Sequence, residues 1–390
     1  MTAGTTARRL GVGMVGHAFM GAVHSQAWRT AAHFFDLRLT PELAVLCGRD
    51  ATRTRAAADR LGWRDTETDW KALLRRDDVT LVDICTPGDT HAEIAIAALD
   101  AGKHVLCEKP LANTVDEARA MAAAAERARE RGVHSMVGFN YRRVPAVALA
   151  RRLVADGRLG EIRHVRGTYL QDWVVDPQFP LVWRLRADRA GSGALGDIGA
   201  HAVDLAQFVV GDRLTGVTAL METFVRERPL PVAAGAVGSA GRGRVTVDDA
   251  ALFLGRFAGG GLASFEATRF ATGRKNSLRL EVNGSLGSLA FDFEAMNELS
   301  FFDGTDDPVA AGFRRILVTE PEHPYAGAWW PPGHGLGYEH TFTHEVADLV
   351  RDLAAGAEPT PSFADGLQVQ LVLDAVARSS TRGSGWEEIG

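Results

Sequence analysis

The chain is poor in cysteine. Cys47, Cys85 and Cys107 are the only three among 390 residues, and none are paired as CxxC. A disulfide scaffold and a cysteine-rich zinc module are therefore excluded. Each of the three sits at or near the end of an apolar run and reads as a reduced core residue. No basic surplus exists: the formal net charge is -6, which argues against a nucleic-acid partner or an anionic membrane surface. No apolar run approaches the roughly 20 residues of a membrane-spanning helix. The opening MTAGTTARRL lacks the apolar stretch of a secretion signal and reads as a frayed tail, so the expected location is the cytoplasm. HExxH is also missing. His334, His340 and His344 are the remaining zinc-like set, but no cysteine lies in that half, and no metal is expected. The glycine-rich stretch Val232 to Arg244 lacks the Lys-Ser/Thr ending of a phosphate loop and reads as a flexible loop.

What is present is an ordinary globular composition, 46% hydrophobic and 24% charged, long enough for about two domains. Residues 10–15, LGVGMV, fit a buried strand. GHAFMG follows, Gly16 to Gly21, and leads into a helical pattern. A strand, a glycine turn and a helix bring backbone N–H groups and a helix N-terminus up to a pyrophosphate. Gly16 permits the turn and Gly21 close helix–strand packing, while Ala18 stands where a middle glycine is usual. Phe19 and Met20 complete the turn.

Strand and helix patterns then alternate as far as VHSMVGFN, with a capping box of Thr114 and Glu117 opening the longest helix. This spacing predicts a parallel doubly wound sheet, and ligands of such sheets lie beyond the carboxyl ends of the strands. Those ends carry Gly16–Gly21, Gly48–Arg49, Thr86–His91, Glu108–Pro110 and Asn140–Arg142. Gly48 stands where a carboxylate would bind the ribose of NAD. Arg49 can pair with the 2′-phosphate of NADP, stack on adenine, or face solvent, and Asp50 can cap the next helix. The reading is NAD(P), leaning to NADP.

After residue 138 the texture changes to strand-like runs with hairpin signals at Gly259–Gly261 and Asn283–Gly284. We assign 1–138 to a Rossmann dinucleotide-binding domain. We assign 139–390 to a C-terminal domain with a large, mostly antiparallel open sheet, α+β in class. One face of that sheet needs a cover, which suggests self-association. In AGSGALGDIGAHAVDLAQFVVG, Asp197 and His201 fall at i and i+4 near a helix start. A carboxylate-held histidine is a usable proton acceptor, although a helix cap beside a surface histidine gives the same spacing. Tyr141, Arg142, Gln171, Asp172, Trp173 and Arg184 are the residue types that suit a polyhydroxylated ligand. A loop packed over the sheet would carry them equally well.

The motifs GMVGHAFMGAVH, CTPGDTHAEIAIAALDAGKHVLCEKPLA, NYRR and GDIGAHAVDL, in this order, resemble the glucose–fructose oxidoreductase, inositol dehydrogenase and rhizopine-catabolism family. The resemblance covers nearly the whole chain. It implies a pocket between the two domains and a homodimer or homotetramer built through the sheet. The implied activity is NAD(P)-dependent oxidation of a secondary ring hydroxyl of a sugar, anhydrosugar or cyclitol. It implies Lys109, Asp197 and His201 as the catalytic group, with the base role open between Lys109 and His201. It implies cofactor contacts from Gly16, Ala18, Phe19, Met20, Gly21, Gly48, Arg49, Thr86, Pro87, His91, Glu108 and Lys109. A cis bond before Pro110 is implied, with Glu108 as a charge partner for Lys109. The departures, Ala18, Gly48 and Gly88-Asp89, all lie on the cofactor side. Two rival classes are an enzyme that retains its cofactor, oxidising and re-reducing as a lyase, hydrolase or epimerase, and a non-catalytic dinucleotide sensor.

Overall fold

The computed structural model describes residues 8–231 and 241–390. These form two compact units. The first holds Met1–Ala112, Asp116–Arg143 and Leu336–Leu367; the second holds Asn113–Val115, Val144–Gly335 and Gln368–Gly390. Among the described residues no helix is long and apolar enough to cross a membrane.

The first unit is built on six parallel strands: β1 (Arg8–Val15), β2 (Leu39–Cys47), β3 (Asp65–Glu67), β4 (Leu81–Ile84), β5 (His104–Glu108) and β6 (Ser135–Gly138). Their order is β3-β2-β1-β4-β5-β6, so the winding reverses between β1 and β4 and opens a crevice at the strand ends. The short runs of β4 and β6 are buried throughout, as a sheet covered on both faces requires. The connecting helices are α1 (Phe19–Phe34), α2 (Ala51–Leu61), α3 (Trp70–Leu74), α4 (His91–Asp100) and α5 (Val115–Arg129). In α1 the buried positions Gly21, His24, Ser25, Trp28 and Ala31 recur at helical spacing and form its core stripe.

The second unit begins with α6 (Pro145–Ala155). Its main sheet has β7 (Ile162–Leu170), then, after α7 (Ala187–Ala190) and α8 (Ala200–Val210), β8 (Leu214–Glu222). A two-stranded ribbon, β9 (Glu227–Pro229) and β10 (Arg242–Arg244), stands apart. The main sheet continues with β11 (Ala250–Phe257), β12 (Leu262–Thr268), β13 (Ser277–Gly284), β14 (Gly287–Asp292), β15 (Glu298–Asp303), β16 (Arg314–Leu317) and β17 (Glu387–Glu388). The order is β16-β15-β14-β13-β7-β12-β11-β8-β17, antiparallel except for β7 beside β12. The glycines at 259–261 make the hairpin between β11 and β12. Helices α6 and α8 cover one face. On the other, Leu220, Leu252, Leu254 and Leu262 remain exposed. Residues 232–240 of the glycine-rich stretch read as a loop lie outside the described residues. Its end, Arg242–Arg244, is paired strand rather than loop.

The units depart from the division at residue 138 read from the sequence: Asn113–Val115 group with the second unit, 139–143 with the first, and one longer segment also changes sides. Residues 336–367 group with the first unit, not with the C-terminal one. The segment contains α9 (Tyr338–Ala355), which packs on α1. Phe342, Val346, Leu349 and Val350 join Val12, Met14 and Trp28 in one core. The last helix, α10 (Phe363–Thr381), starts in the first unit and ends in the second.

Candidate active site

The glycine turn after β1 fits a dinucleotide. Gly16 has φ 99°, and a Cβ there would lie 2.8 Å from the Cys85 carbonyl oxygen. A Cβ on Gly21 would lie 2.3 Å from the Gly16 carbonyl oxygen, so only glycine allows α1 this close to the strand. The N-cap of α1 is Ala18, with no side-chain cap and no acid in the first turn. A first turn without a capping side chain or a carboxylate of its own suits an anion. Phe19 is exposed at the turn and stacks on Tyr338 at 6.4 Å. Tyr338, which the sequence reading did not pick out, also approaches Tyr141 at 6.4 Å and Phe342 at 5.0 Å.

At the end of β2, Gly48 follows Cys47 where the sequence reading looked for a carboxylate. Gly48 is hemmed in: a Cβ there would lie 2.5 Å from the His17 ring and 2.6 Å from Thr54 Oγ1. Asp50 accepts from Arg53 N at 2.9 Å and caps α2. Arg49 is exposed. Among the cofactor-side residues His91 is the most enclosed. It is buried, and its ring nitrogens meet the Thr86 carbonyl at 2.8 Å and the Pro110 carbonyl at 3.0 Å. It ties two strand-end loops together and keeps no ring nitrogen for a ligand.

Lys109 is half-buried at the end of β5, and its bond to Pro110 is cis. Both carboxylate oxygens of Glu108 are engaged within the first unit. Glu108 Oε1 accepts from His24 Nε2 at 2.9 Å, while Oε2 accepts the Lys109 backbone N–H at 3.2 Å. His24 Nδ1 donates to Asp83 Oδ2 at 3.0 Å, and Trp28 Nε1 donates to the same oxygen at 2.7 Å. Burial alone would lower the His24 pKa, but the Asp83 carboxylate and Cys85 outweigh it and hold the imidazole well above its ordinary value. The imidazolium can donate from both nitrogens, as this geometry requires. Among the described residues His24, Asp83 and Cys85 form the one group close enough to share a metal ion. Its atoms already bond one another. The histidines weighed as zinc ligands have backbone partners, local for His334 with the Pro331 carbonyl and His340 with Gly337 N–H, distant for His344 with the Arg143 carbonyl.

In the second unit Asp197 lies within a π-turn, Leu195–Gly199, that opens α8, and His201 follows on the helix. Wide turns of this kind re-aim the side chains that follow and recur at functional sites. His201 is buried, with its ring 5.9 Å from that of Tyr169. Tyr169 donates to Asn276 Oδ1 at 2.6 Å, and Gln171 Nε2 donates to the same oxygen at 2.8 Å. Trp173 Nε1 donates to Gln171 Oε1 at 3.0 Å. One polar chain therefore joins Tyr169, Asn276, Gln171 and Trp173, with Asn276 as its hub, and the His201 ring packs against its Tyr169 end. Asp172 is turned elsewhere: Lys275 at 2.8 Å and Gly273 N–H hold its carboxyl below the usual range. Arg184 lies over the Trp183 ring at 4.4 Å.

Residues 10–139 match the oxidoreductase family with an NAD-binding Rossmann fold, and residues 147–290 match the GFO/IDH/MocA C-terminal domain. The chain belongs to the GFO/IDH/MocA oxidoreductase family. It is 42% identical to levoglucosan dehydrogenase of Pseudarthrobacter phenanthrenivorans, over 98% of both chains. Inositol 2-dehydrogenase of Rhizobium meliloti is 30% identical over 94% of this chain and 96% of its own. A solved structure of an oxidoreductase domain protein from Kribbella flavida has a TM-score of 0.95 and 68% identity, covering 98% of this chain and all (100%) of its own. Levoglucosan dehydrogenase in complex with NADH and levoglucosan has a TM-score of 0.93 and 41% identity over 98% and 100% of the two chains. The family resemblance, the Rossmann unit and the mostly antiparallel sheet read from the sequence are thus found. The chain is a sugar-metabolising family's oxidoreductase with an NAD-binding fold.

Proposed function

We propose that this enzyme is a dehydrogenase that oxidises a secondary ring hydroxyl of a sugar, anhydrosugar or cyclitol to a ketone, in the manner of levoglucosan dehydrogenase. The observation that carries the reading is full-length similarity to that enzyme, whose solved complexes hold NADH with levoglucosan or L-sorbose. Gly16, Ala18, Phe19, Met20 and Gly21 would hold the dinucleotide pyrophosphate, with Thr86, Pro87 and Glu108 at neighbouring strand ends. When bound, the nicotinamide supplies the hydride acceptor. The substrate carbon gives up its hydrogen with the electron pair, and its hydroxyl gives up a proton. His201 takes that proton, and the neighbouring Asp197 orients the imidazole or a second hydroxyl. Lys109 hydrogen-bonds the reacting oxygen and stabilises the charge that develops there. Tyr141, Arg142, Gln171 and Trp173 present rings and polar groups to the remaining hydroxyls.

For the dinucleotide, Gly48 and Arg49 lean to NADP, whereas the relatives solved with NADH lean to NAD. The exposed leucines on β8, β11 and β12 suit self-association as a homodimer or homotetramer, which light scattering reads directly. The central experiment is a panel of sugars, anhydrosugars and cyclitols assayed with NAD and with NADP for reduced-nicotinamide absorbance. Lys109→Ala and His201→Ala should each lose most of kcat on the best substrate while still binding dinucleotide. No turnover on any member of the panel, or wild-type rates in both variants, sinks the reading.

A further inference from the structure

Arg269 follows β12 directly and is fully buried, at 0% exposure. A guanidinium keeps its charge inside a protein, so its burial is costly unless carboxylates and carbonyls replace water. Its described partners are few. Nη1 meets Asp197 Oδ2 at 3.4 Å, and Nη2 donates to the Asp248 carbonyl oxygen at 3.3 Å. The Trp173 ring covers it, 5.4 Å away. Asp249 is also buried nearby, but its Oδ2 accepts the N–H groups of Phe224 and Val225.

Asp248 in turn builds the glycine turn ahead of Asp197. Its carboxylate accepts from Gly193 N at 2.7 Å and Leu195 N at 2.8 Å, and its carbonyl accepts from Ala194 N at 3.1 Å. A Cβ on Gly193 would lie 1.8 Å from that carbonyl oxygen, so the approach needs glycine. Arg269 therefore grips the turn at its base through Asp248 and the side chain at its end through Asp197. The pair is asymmetric. The cation is wholly inside, while the Asp197 side chain keeps 28% of its surface exposed. An ion pair that served stability alone would have no need to leave its carboxylate at the surface.

We propose that Arg269 is a positioning residue: it fixes the direction of the Asp197 carboxylate against the Asp248-capped turn. The proposal rests on the reading that Asp197 belongs to the catalytic group. The Trp173 ring packs on the same guanidinium.

The test is a double-mutant cycle of Arg269→Gln and Asp197→Asn, with Arg269→Lys beside it. The substrate is the one identified by the sugar panel, levoglucosan first. Arg269→Gln should lower kcat by about 100-fold, the scale expected for a misplaced catalytic group. KM for the dinucleotide should stay within about twofold, and Arg269→Lys should recover about tenfold of the lost rate. In the Asp197→Asn background Arg269→Gln should add less than about twofold, because coupled residues are not additive. If the Gln variant yields no folded protein, the Lys variant runs the same cycle. Multiplying effects in the double variant, or wild-type kcat in Arg269→Gln, overturn the proposal while leaving Asp197 in place. Wild-type kcat in Asp197→Asn alone overturns the catalytic reading of Asp197 and the proposal with it.

Discussion

In the first unit His24 is enclosed by carboxylates that are buried with it, whereas in the second unit the buried guanidinium of Arg269 meets a carboxylate that still reaches solvent. Both sets stand directly behind a residue assigned to the reaction. His24 reaches Lys109 through Glu108, whose second oxygen takes the Lys109 backbone N–H. Arg269 reaches the Asp197 side chain itself. The first arrangement fixes a backbone, and the second aims a side chain. Damage to the first should therefore register mainly in stability, and damage to the second mainly in turnover.

The strongest way to break that contrast is His24→Ala. It leaves Asp83 and Glu108 buried without their shared cation, a change worth about 3–5 kcal/mol when one partner of a buried pair is removed. Urea unfolding should show a loss of that size. A loss comparable to that of an exposed pair would mean the closed set is not what holds the strand ends.

Next is the pH dependence of stability. His24 has a folded pKa above its unfolded one, so its contribution is fully present below about 6.5 and is lost as pH rises through the folded value. Glu345 on α9 is 1% exposed, and burial pushes its carboxyl up from 4.5 to about 8, with only partial relief from Arg143. Between those values the folded chain keeps a proton that the unfolded chain has released. Stability should then fall by about 1.4 kcal/mol per pH unit for that proton. Glu345→Gln should remove this slope and raise Tm at pH near 8 more than at pH near 5. A variant whose Tm tracks the wild type at both pH values would place the alkaline sensitivity elsewhere.

A smaller effect is expected from Gly193→Ala. The added methyl meets the Asp248 carbonyl, so the turn before Asp197 must shift. Turnover should fall by about tenfold or more while dinucleotide binding by titration calorimetry stays unchanged. An equal loss of both would show that the disturbance is not confined to the second unit. Smallest is Arg49→Ala. For an exposed arginine, a few-fold fall in kcat/KM with NADP and none with NAD is expected, shrinking as salt is added. An unaltered NADP value would remove Arg49 from cofactor choice.

The sequence was most legible where chemistry and chain order coincide. The glycine turn, the Glu-Lys-Pro strand end and the Asp197–His201 spacing each occupy a short stretch whose turn residues and periodicity announce it. The partners of those stretches are distant in sequence. His24 finds Asp83 and Glu108 at separations of 59 and 84 residues, and Arg269 finds Asp197 at 72. Nothing in local pattern joins such pairs. A weak signal did exist: His24 and Trp28 lie at i and i+4 on the apolar stripe of α1, and Arg269 ends a strand pattern that is otherwise apolar or small on its inner face. The link from Glu108 to His24 was hidden for the same reason, since adjacency in sequence pointed from Glu108 to Lys109 alone. The grouping of 336–367 with the first unit was hidden because α9 carries the same helical periodicity wherever it packs.

That returning helix bears on how the protein is made. Phe342, Val346, Leu349 and Val350 belong to the same core as Val12 and Trp28, so the nucleotide-binding fold is closed by residues from near the opposite end of the chain. During synthesis the first strands and α1 must wait for most of the second unit to be translated. At ordinary rates that is roughly ten seconds or more with an apolar helix face uncovered. The half of the molecule that begins first on the ribosome is therefore among the last to become complete.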